Sequence, residues 1–187
     1  MKKTLITSVL YTTVTAILLG VAYPMLILGL DHLLFPHQAD GSLITRNGKV
    51  IGSRLIGQAF SGDLYFHSRP SAAGNGYDAT ASGGSNLGAT SSALITRIDA
   101  SVAAERIGNA PVPVDLVTAS GSGLDPDISP AAAYYQAPRV AQARHLPVAD
   151  VNRLIEDHIT QRLFGLLGEP HVNVLELNLA LDGLSKR

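Results

Sequence analysis

The chain has 187 residues, a net charge of −1 and no cysteine. That length holds one membrane anchor and one domain of about 150 residues, not two sizeable domains, and the near-neutral charge offers no field that would draw in nucleic acid. The absence of Cys excludes disulfides, thiolate metal sites and Cys nucleophiles, and with 46% hydrophobic but only 5% aromatic residues the core has to rest on Leu, Ile, Val and Ala.

No charged residue lies between Thr4 and Leu30. A helix needs about 20 apolar residues to cross the hydrocarbon core, and this run exceeds that. Lys2 and Lys3 precede it and Asp31 follows, so the positive-inside tendency puts the N-terminus in the cytoplasm and the rest of the chain outside. The expected division is residues 1–31 as cytoplasmic tip and transmembrane anchor, and 32–187 as an extracytoplasmic domain. A cleaved signal peptide is the rival reading, with Gly20-Val21-Ala22 as the cleavage site. It is disfavoured because the apolar stretch runs on through Met25, Leu26, Ile27 and Leu28, whereas signal h-regions span about 7–15 residues. Ser8, Thr12, Ala16 and Gly20 recur every four residues and form a seam of small side chains, the kind of face along which helices associate in lipid. Small residues are also simply common in spans. Pro24 follows on the same register, lacks an N–H and crowds the Gly20 carbonyl, which predicts a kink.

Residues 31–48 read as a juxtamembrane segment ending in the Asn47-Gly48 turn. The alternation of Lys49 to Ile56 predicts a strand, and Tyr65-Phe66 a second short extended piece before Arg69-Pro70. Residues 71–92 are rich in Gly, Ser, Ala and Asn. A helix is predicted from about Thr90, with Leu94, Ile98 and Val102 on one face, Ile95 beside them and Gly108 as the stop. Val112 to Thr118 reads as a buried strand and Ser120 to Pro126 as a Gly- and Asp-rich loop. Ser129-Pro130 predicts a helix start with Ser as N-cap and Pro at the first position, and Pro138 a break in that helix. Val148 to Leu163 predicts an amphipathic helix, Val172 to Leu175 a last strand, and a short terminal helix after it. The fold class that follows is a single N-terminal transmembrane helix plus one α/β (α+β) soluble domain.

No catalytic, cofactor-binding or metal site emerges from these residues. A P-loop needs Gly-Lys-Ser/Thr, but Gly48-Lys49 is followed by Val50. Ala81-Ser82-Gly83-Gly84-Ser85 is faintly like the signature loop of ABC transporters, with no P-loop to accompany it. The six histidines are scattered, without the i, i+4 pair of a zinc helix. His158 reads as a hydrogen-bonded packing residue. Asp125-Pro126-Asp127 lacks the rest of a calcium loop and fits turn chemistry. There is no G-x-S-x-G elbow.

The ordered motifs resemble a known family over nearly the full chain. They are Tyr23-Pro24, the run from Gly52 to Gln58, the run from Tyr65 to Ala72, and Ser82-Gly83-Gly84-Ser85-Asn86-Leu87-Gly88. They continue with Val112 to Pro126, Ile128-Ser129-Pro130-Ala131-Ala132 and Gly168 to Asn178. This set is similar to the C subunits of Kdp-type potassium-transporting ATPases. Asp127, where that family often has His, and Pro138 are small departures. The resemblance implies a non-catalytic subunit of a high-affinity potassium-uptake pump. It implies as partners a channel-like potassium-translocating subunit, a P-type ATPase subunit and a very small stabilising chain in a bacterial plasma membrane, with ATP and potassium handled by the complex and no cofactor bound by this chain alone. It also implies help in assembly and a raised ATP affinity of the ATPase subunit. An outer domain cannot touch cytoplasmic ATP, so that effect has to be allosteric. The expected contact residues are Ser8, Thr12, Ala16 and Gly20 in the anchor, then Arg69, Pro70, Ser71, Gly83, Gly84 and Asn86, and Gly121, Gly123 and Asp125. The plainer reading of the loops is that they complete the domain's own turns. The alternative function is a membrane-anchored extracytoplasmic hydrolase or nucleotide-binding protein, and a cleaved, secreted binding protein is a third.

Overall fold

The computed structural model describes residues 1–184 and divides into two compact units, Met1–Ser53 and Arg54–Arg187. In the first, a helical run spans Lys2–Leu34, apolar and long enough to cross a membrane. It consists of α1 (Lys2–Ile17), a π-turn (Leu18–Ala22) and α2 (Tyr23–Leu34). The interruption expected at Pro24 takes the form of that π-turn. Tyr23 N–H reaches back to the Leu18 carbonyl, the wider i→i+5 bond, just ahead of a residue that donates no backbone bond at all. A short helix α3 (Pro36–Ala39) follows.

The strand expected from Lys49 exists as β2 (Lys49–Ser53), and its partner, missed in the sequence, is β1 (Leu43–Arg46). Asn47 and Gly48 both take positive φ, 52° and 74°, as a two-residue hairpin turn of type I′ requires. Ser53 Oγ donates to the Gly41 carbonyl at 2.7 Å, which ties the end of the hairpin to its start.

The second unit is α+β. Its helices are α4 (Ser92–Glu105), α5 (Pro130–Arg144), α6 (Val148–Asp157) and α7 (Val174–Leu184), and its strands are β3 (Asp127–Ile128), β4 (Ile159–Thr160) and β5 (His171–Asn173). The antiparallel sheet has the order β3-β5-β4, with Val172 opposite both Ile128 and Ile159. The helix α5 packs on α6 and β5, and α7 packs on the same two elements. Between them lie Phe66, Leu116, Ile128, Val140, Ile155, Val172 and Leu177. Ser129 caps α5 as expected, its side chain accepting from Ala132 N–H.

Four expectations need correcting. Val112 to Thr118 is not a strand. Pro113 can make no ladder bond, and the segment coils into a 3-10 turn (Val114–Leu116) that turns Asp115 and Leu116 inward. Asp115 then accepts the Ser129 N–H at 2.6 Å. Pro138 does not break α5. It lies on the exposed side, which leaves the carbonyl that loses its donor on the solvent face, and the helix runs on to a left-handed His145. The helix from Val148 ends at Asp157, because Ile159 and Thr160 pair with β5 instead of continuing it. Tyr65-Phe66 belongs to no strand, although Phe66 is fully buried.

The backbone around Phe66 is satisfied by side chains in place of a neighbouring strand. The amide of Asn178 on α7 accepts from Phe66 N–H at 2.9 Å and donates to the Phe66 carbonyl at 3.0 Å. Gln136 on α5 treats His67 the same way, accepting at 2.7 Å and donating at 3.2 Å. Arg139 Nη2 donates to the Tyr65 carbonyl and Arg144 Nε to the Leu64 carbonyl. Arg144 also lies over the Tyr65 ring, 4.7 Å from its centre. Truncating Asn178 to Ala orphans two buried backbone groups at about 1–3 kcal/mol each. The full-length variant in detergent is expected to melt several degrees below the parent, and an unchanged midpoint would show that the amide is dispensable.

Candidate functional site

The two loop regions singled out in the sequence meet in the second unit and lock into each other. Ser71 Oγ donates to the Gly123 carbonyl at 2.6 Å and accepts from the N–H groups of Ala73 and Tyr77. Gly83 N–H donates to the Ser122 carbonyl at 2.8 Å, with Ser82 Oγ on the same oxygen at 3.0 Å. Arg69 spreads across the second loop, with Nη1 on Asp125 Oδ2 at 3.0 Å, Nε on the Thr118 carbonyl and Nη2 on the Ala119 carbonyl, both at 3.4 Å. Gly57 N–H donates to the Leu124 carbonyl at 2.8 Å. Within the second loop, the Ser120, Ser122 and Asp125 side chains cap the N–H groups of Gly123, Leu124 and Asp127, which is ordinary Ser and Asp turn chemistry.

The spacing between the loops explains their glycines. A Cβ on Gly123 would stand 2.5 Å from the Gly83 oxygen and 2.6 Å from Ala73 N, and its φ is +68°. A Cβ on Gly84 would come within 3.1 Å of the Gly121 oxygen, and one on Gly57 within 2.5 Å of the Asp125 oxygen. Backbone therefore lies directly on backbone. The structure brings Arg69, Ser71, Gly83, Gly84, Gly121, Gly123 and Asp125 into one cluster. Asn86 stands apart, exposed and left-handed at φ 52°. Pro70 faces a shallow cleft shared with Phe60, His67, Tyr77, Glu105 and Leu116. Ser8, Thr12, Ala16 and Gly20 belong to the other unit. All four are exposed, Ser8 Oγ bonds back to the Thr4 carbonyl, and Gly20 lies in the π-turn with open space where a Cβ would go.

The cleft beside Pro70 holds residues that the sequence analysis did not single out. His67 Nδ1 is 2.8 Å from Glu105 Oε1 and Nε2 is 3.0 Å from the Gly62 carbonyl. This pair, with the bond of Arg97 Nη2 to the Ser71 carbonyl and of Tyr135 Oη to the Glu105 carbonyl, holds α4 in place. The helix has no fully buried residue of its own, so Leu94, Ile98 and Val102 are only half-covered and Ile95 is exposed. Burial, then the Glu105 charge, pushes the Tyr77 phenol up. It therefore stays protonated and donates to the Arg69 carbonyl. One signal for the missed Gln136 is its spacing: four residues past Ala132 and four before Val140, it stands on the apolar face of α5. His158 bonds the Leu154 carbonyl at 2.8 Å, half-buried, as expected of a packing residue.

Chemically the cluster is spent on itself. Its carboxylate is engaged by a guanidinium, its hydroxyls by backbone, and no buried side-chain nitrogen or oxygen among the described residues lacks a partner. Among those residues no group of three or more His, Asp and Glu is placed to hold a metal ion.

A long apolar helix joined to an α+β unit with self-sealed loops defines the class, a membrane-anchored protein with one span. The family model described as K+-transporting ATPase, c chain (KdpC) matches residues 5–183, and the chain belongs to that family. It is 66% identical to the potassium-transporting ATPase KdpC subunit of Acidobacterium capsulatum, over 94% of this chain and 96% of the relative. It is 54% identical to the one of Koribacter versatilis, over 98% and 96%, and 58% identical to the one of Gemmatimonas aurantiaca, over 93% and 89%.

Two predictions test the cluster. Gly123→Ala forces both strain and a backbone collision, so it is expected to lower the melting temperature and speed amide exchange at Gly83 and Leu124. Exchange at the parent rate would mean that the loops are not locked. Asp127, next to the cluster, has its carboxyl raised, chiefly by burial, against the opposing pull of His171 and the Asn173 hydrogen bond. A carboxyl raised on folding favours the native state while protonated, and that contribution is lost as pH rises from the unfolded carboxylate range through the raised value. The stability of Asp127→Asn relative to the parent should therefore climb across that window and then level off. Urea unfolding from acid to neutral pH reads this directly, and a flat difference would refute it.

Proposed function

We propose that this chain is a non-catalytic accessory subunit of a high-affinity, ATP-driven potassium-uptake pump in a bacterial plasma membrane. The N-terminus lies in the cytoplasm, the first helix spans, and residues 32–187 stand on the outer side, docked on the channel-like subunit. The P-type ATPase subunit and the small stabilising chain complete the complex, and this chain assists its assembly. Any effect on ATP affinity acts at a distance, through contacts that differ between pump states.

The observation that carries the reading is family membership over residues 5–183, and the self-engaged loop cluster supports it. A hydrolase needs a nucleophile and a base with free valences. Here Arg69, Ser71 and Asp125 hold loops in shape. Rigid loops on a tethered domain suit docking, because little freedom is lost on contact. The exposed small residues of the anchor suit close approach by another span.

Tagged full-length chain purified from membranes should bring down both large pump subunits and hydrolyse no ATP or ester when isolated. Turnover by the isolated chain would sink the proposal. Gly20 is exposed with open space where a Cβ would go, so Gly20→Leu is expected to cut the yield of assembled complex severalfold while the melting temperature of the chain holds. Equal yields would remove the anchor seam from the interface.

A further inference from the structure

Between β4 and β5 the chain builds a tight apolar hairpin that its own fold does not use. Leu163, Phe164, Leu166 and Leu167 are 60%, 85%, 80% and 62% exposed. Backbone bonds close the hairpin: Leu163 and Leu167 exchange both, at 2.9 and 3.0 Å, and Gly165 and Leu166 N–H groups close the turn. Phe164 stands at φ +54° with Gly165 at +73°. A left-handed phenylalanine is strained, a strain the turn imposes at its first central position, and the ring stands in solvent. The base of the hairpin is closed by an ion pair between Arg162 and Glu169.

Three occupants are conceivable for such a finger, and its chemistry separates them. A lipid surface is held by an apolar face of Trp, Phe or Leu together with flanking unpaired Lys or Arg that draw it to the headgroups, often with Trp or Tyr at the interface. Residues 161–170 contain none of Lys, Trp or Tyr, and their one cation is neutralised by Glu169. A second copy of this chain needs about 800 Å² a side for a stable contact, and these four side chains supply at most about 600 Å². The remaining occupant is a partner that is already tethered beside the chain, where a small apolar plug adds to an interface anchored elsewhere.

We infer that the Leu163–Leu167 hairpin is a hydrophobic plug that inserts into an apolar pocket on the extracytoplasmic face of a neighbouring pump subunit. This inference rests on the accessory-subunit reading. The ring of Phe164 fills the pocket, Leu166 and Leu167 pack at its mouth, and the closed Arg162–Glu169 pair forms a neutral rim that costs little to bring into contact.

The test places a benzophenone amino acid at position 164 of the full chain, co-expressed with the other pump subunits, and irradiates intact membranes. The expected result is a covalent adduct with a pump subunit. An adduct with lipid alone, with a second copy of this chain, or with nothing overturns the inference. In parallel, F164D combined with L166D should lower the yield of co-purified complex about tenfold or more, as loss of a central anchor does, with the melting temperature of the chain unchanged. Unchanged yield overturns the plug. Co-purification of the parent chain is scored separately. If the parent pulls down pump subunits but the finger forms no adduct, the plug alone fails, whereas failure of the parent to pull them down removes the accessory-subunit reading itself.

Discussion

Two buried amides hold the second unit together. Asn178 and Gln136 each grip one residue of the segment at Phe66 and His67 by both its N–H and its carbonyl. A chain with so few aromatic residues has little large apolar surface to bury, and that segment has no neighbouring strand. An extended backbone cannot enter a core with its polar groups unpaired. The amides resolve the conflict, so that Phe66, the one fully buried aromatic among the described residues, can occupy the middle of the helices. Arg69 comes three residues later, and its placement over the second loop depends on that anchoring.

The loop cluster extends the same logic outward. Where an enzyme would leave a carboxylate or a hydroxyl poised, Asp125 and Ser71 are consumed in joining two glycine-rich turns. The glycines allow main chain to lie against main chain, and the polar side chains supply the bonds that neither loop can make alone. The product is a shaped surface whose Asp125 and Ser71 are engaged in joining the loops. By contrast α4 lies over this frame held by His67, Arg97 and Tyr135, and of the helices α4 to α7 it is the one without a buried residue among those described.

Much of this was readable in the residues. The span, the Asn47-Gly48 turn, the Ser129-Pro130 helix start and the amphipathic run from Val148 all carry local signals that tertiary structure does not override. The errors have a common cause in the surroundings of a residue. Pro138 removes one helix bond and crowds a carbonyl, a cost that is lower on a solvent face, and sequence does not reveal that its side of α5 is exposed. Val112 to Thr118 has strand-like composition, yet the buried Asp115 is needed at the start of α5. Ile159 continues a helical pattern but finds a strand partner in Val172, thirteen residues on. The two loops were each visible as unusual, and the resemblance to C subunits pointed to both. That Gly123 and Gly83 touch follows only from the fold. The exposed hairpin at Phe164 begins at Leu163, the last residue of the expected helix, and no local signal marked it.

The π-turn gives the span a soft point near its middle. Tyr23 N–H bonds to the Leu18 carbonyl, one residue beyond the regular partner, and Pro24 adds no bond of its own. A helix bends most easily where its ladder is interrupted. Gly20, the smallest residue of the Ser8, Thr12, Ala16 and Gly20 stripe, lies within that turn, so bending of the anchor is centred on the stretch that carries the least side-chain bulk.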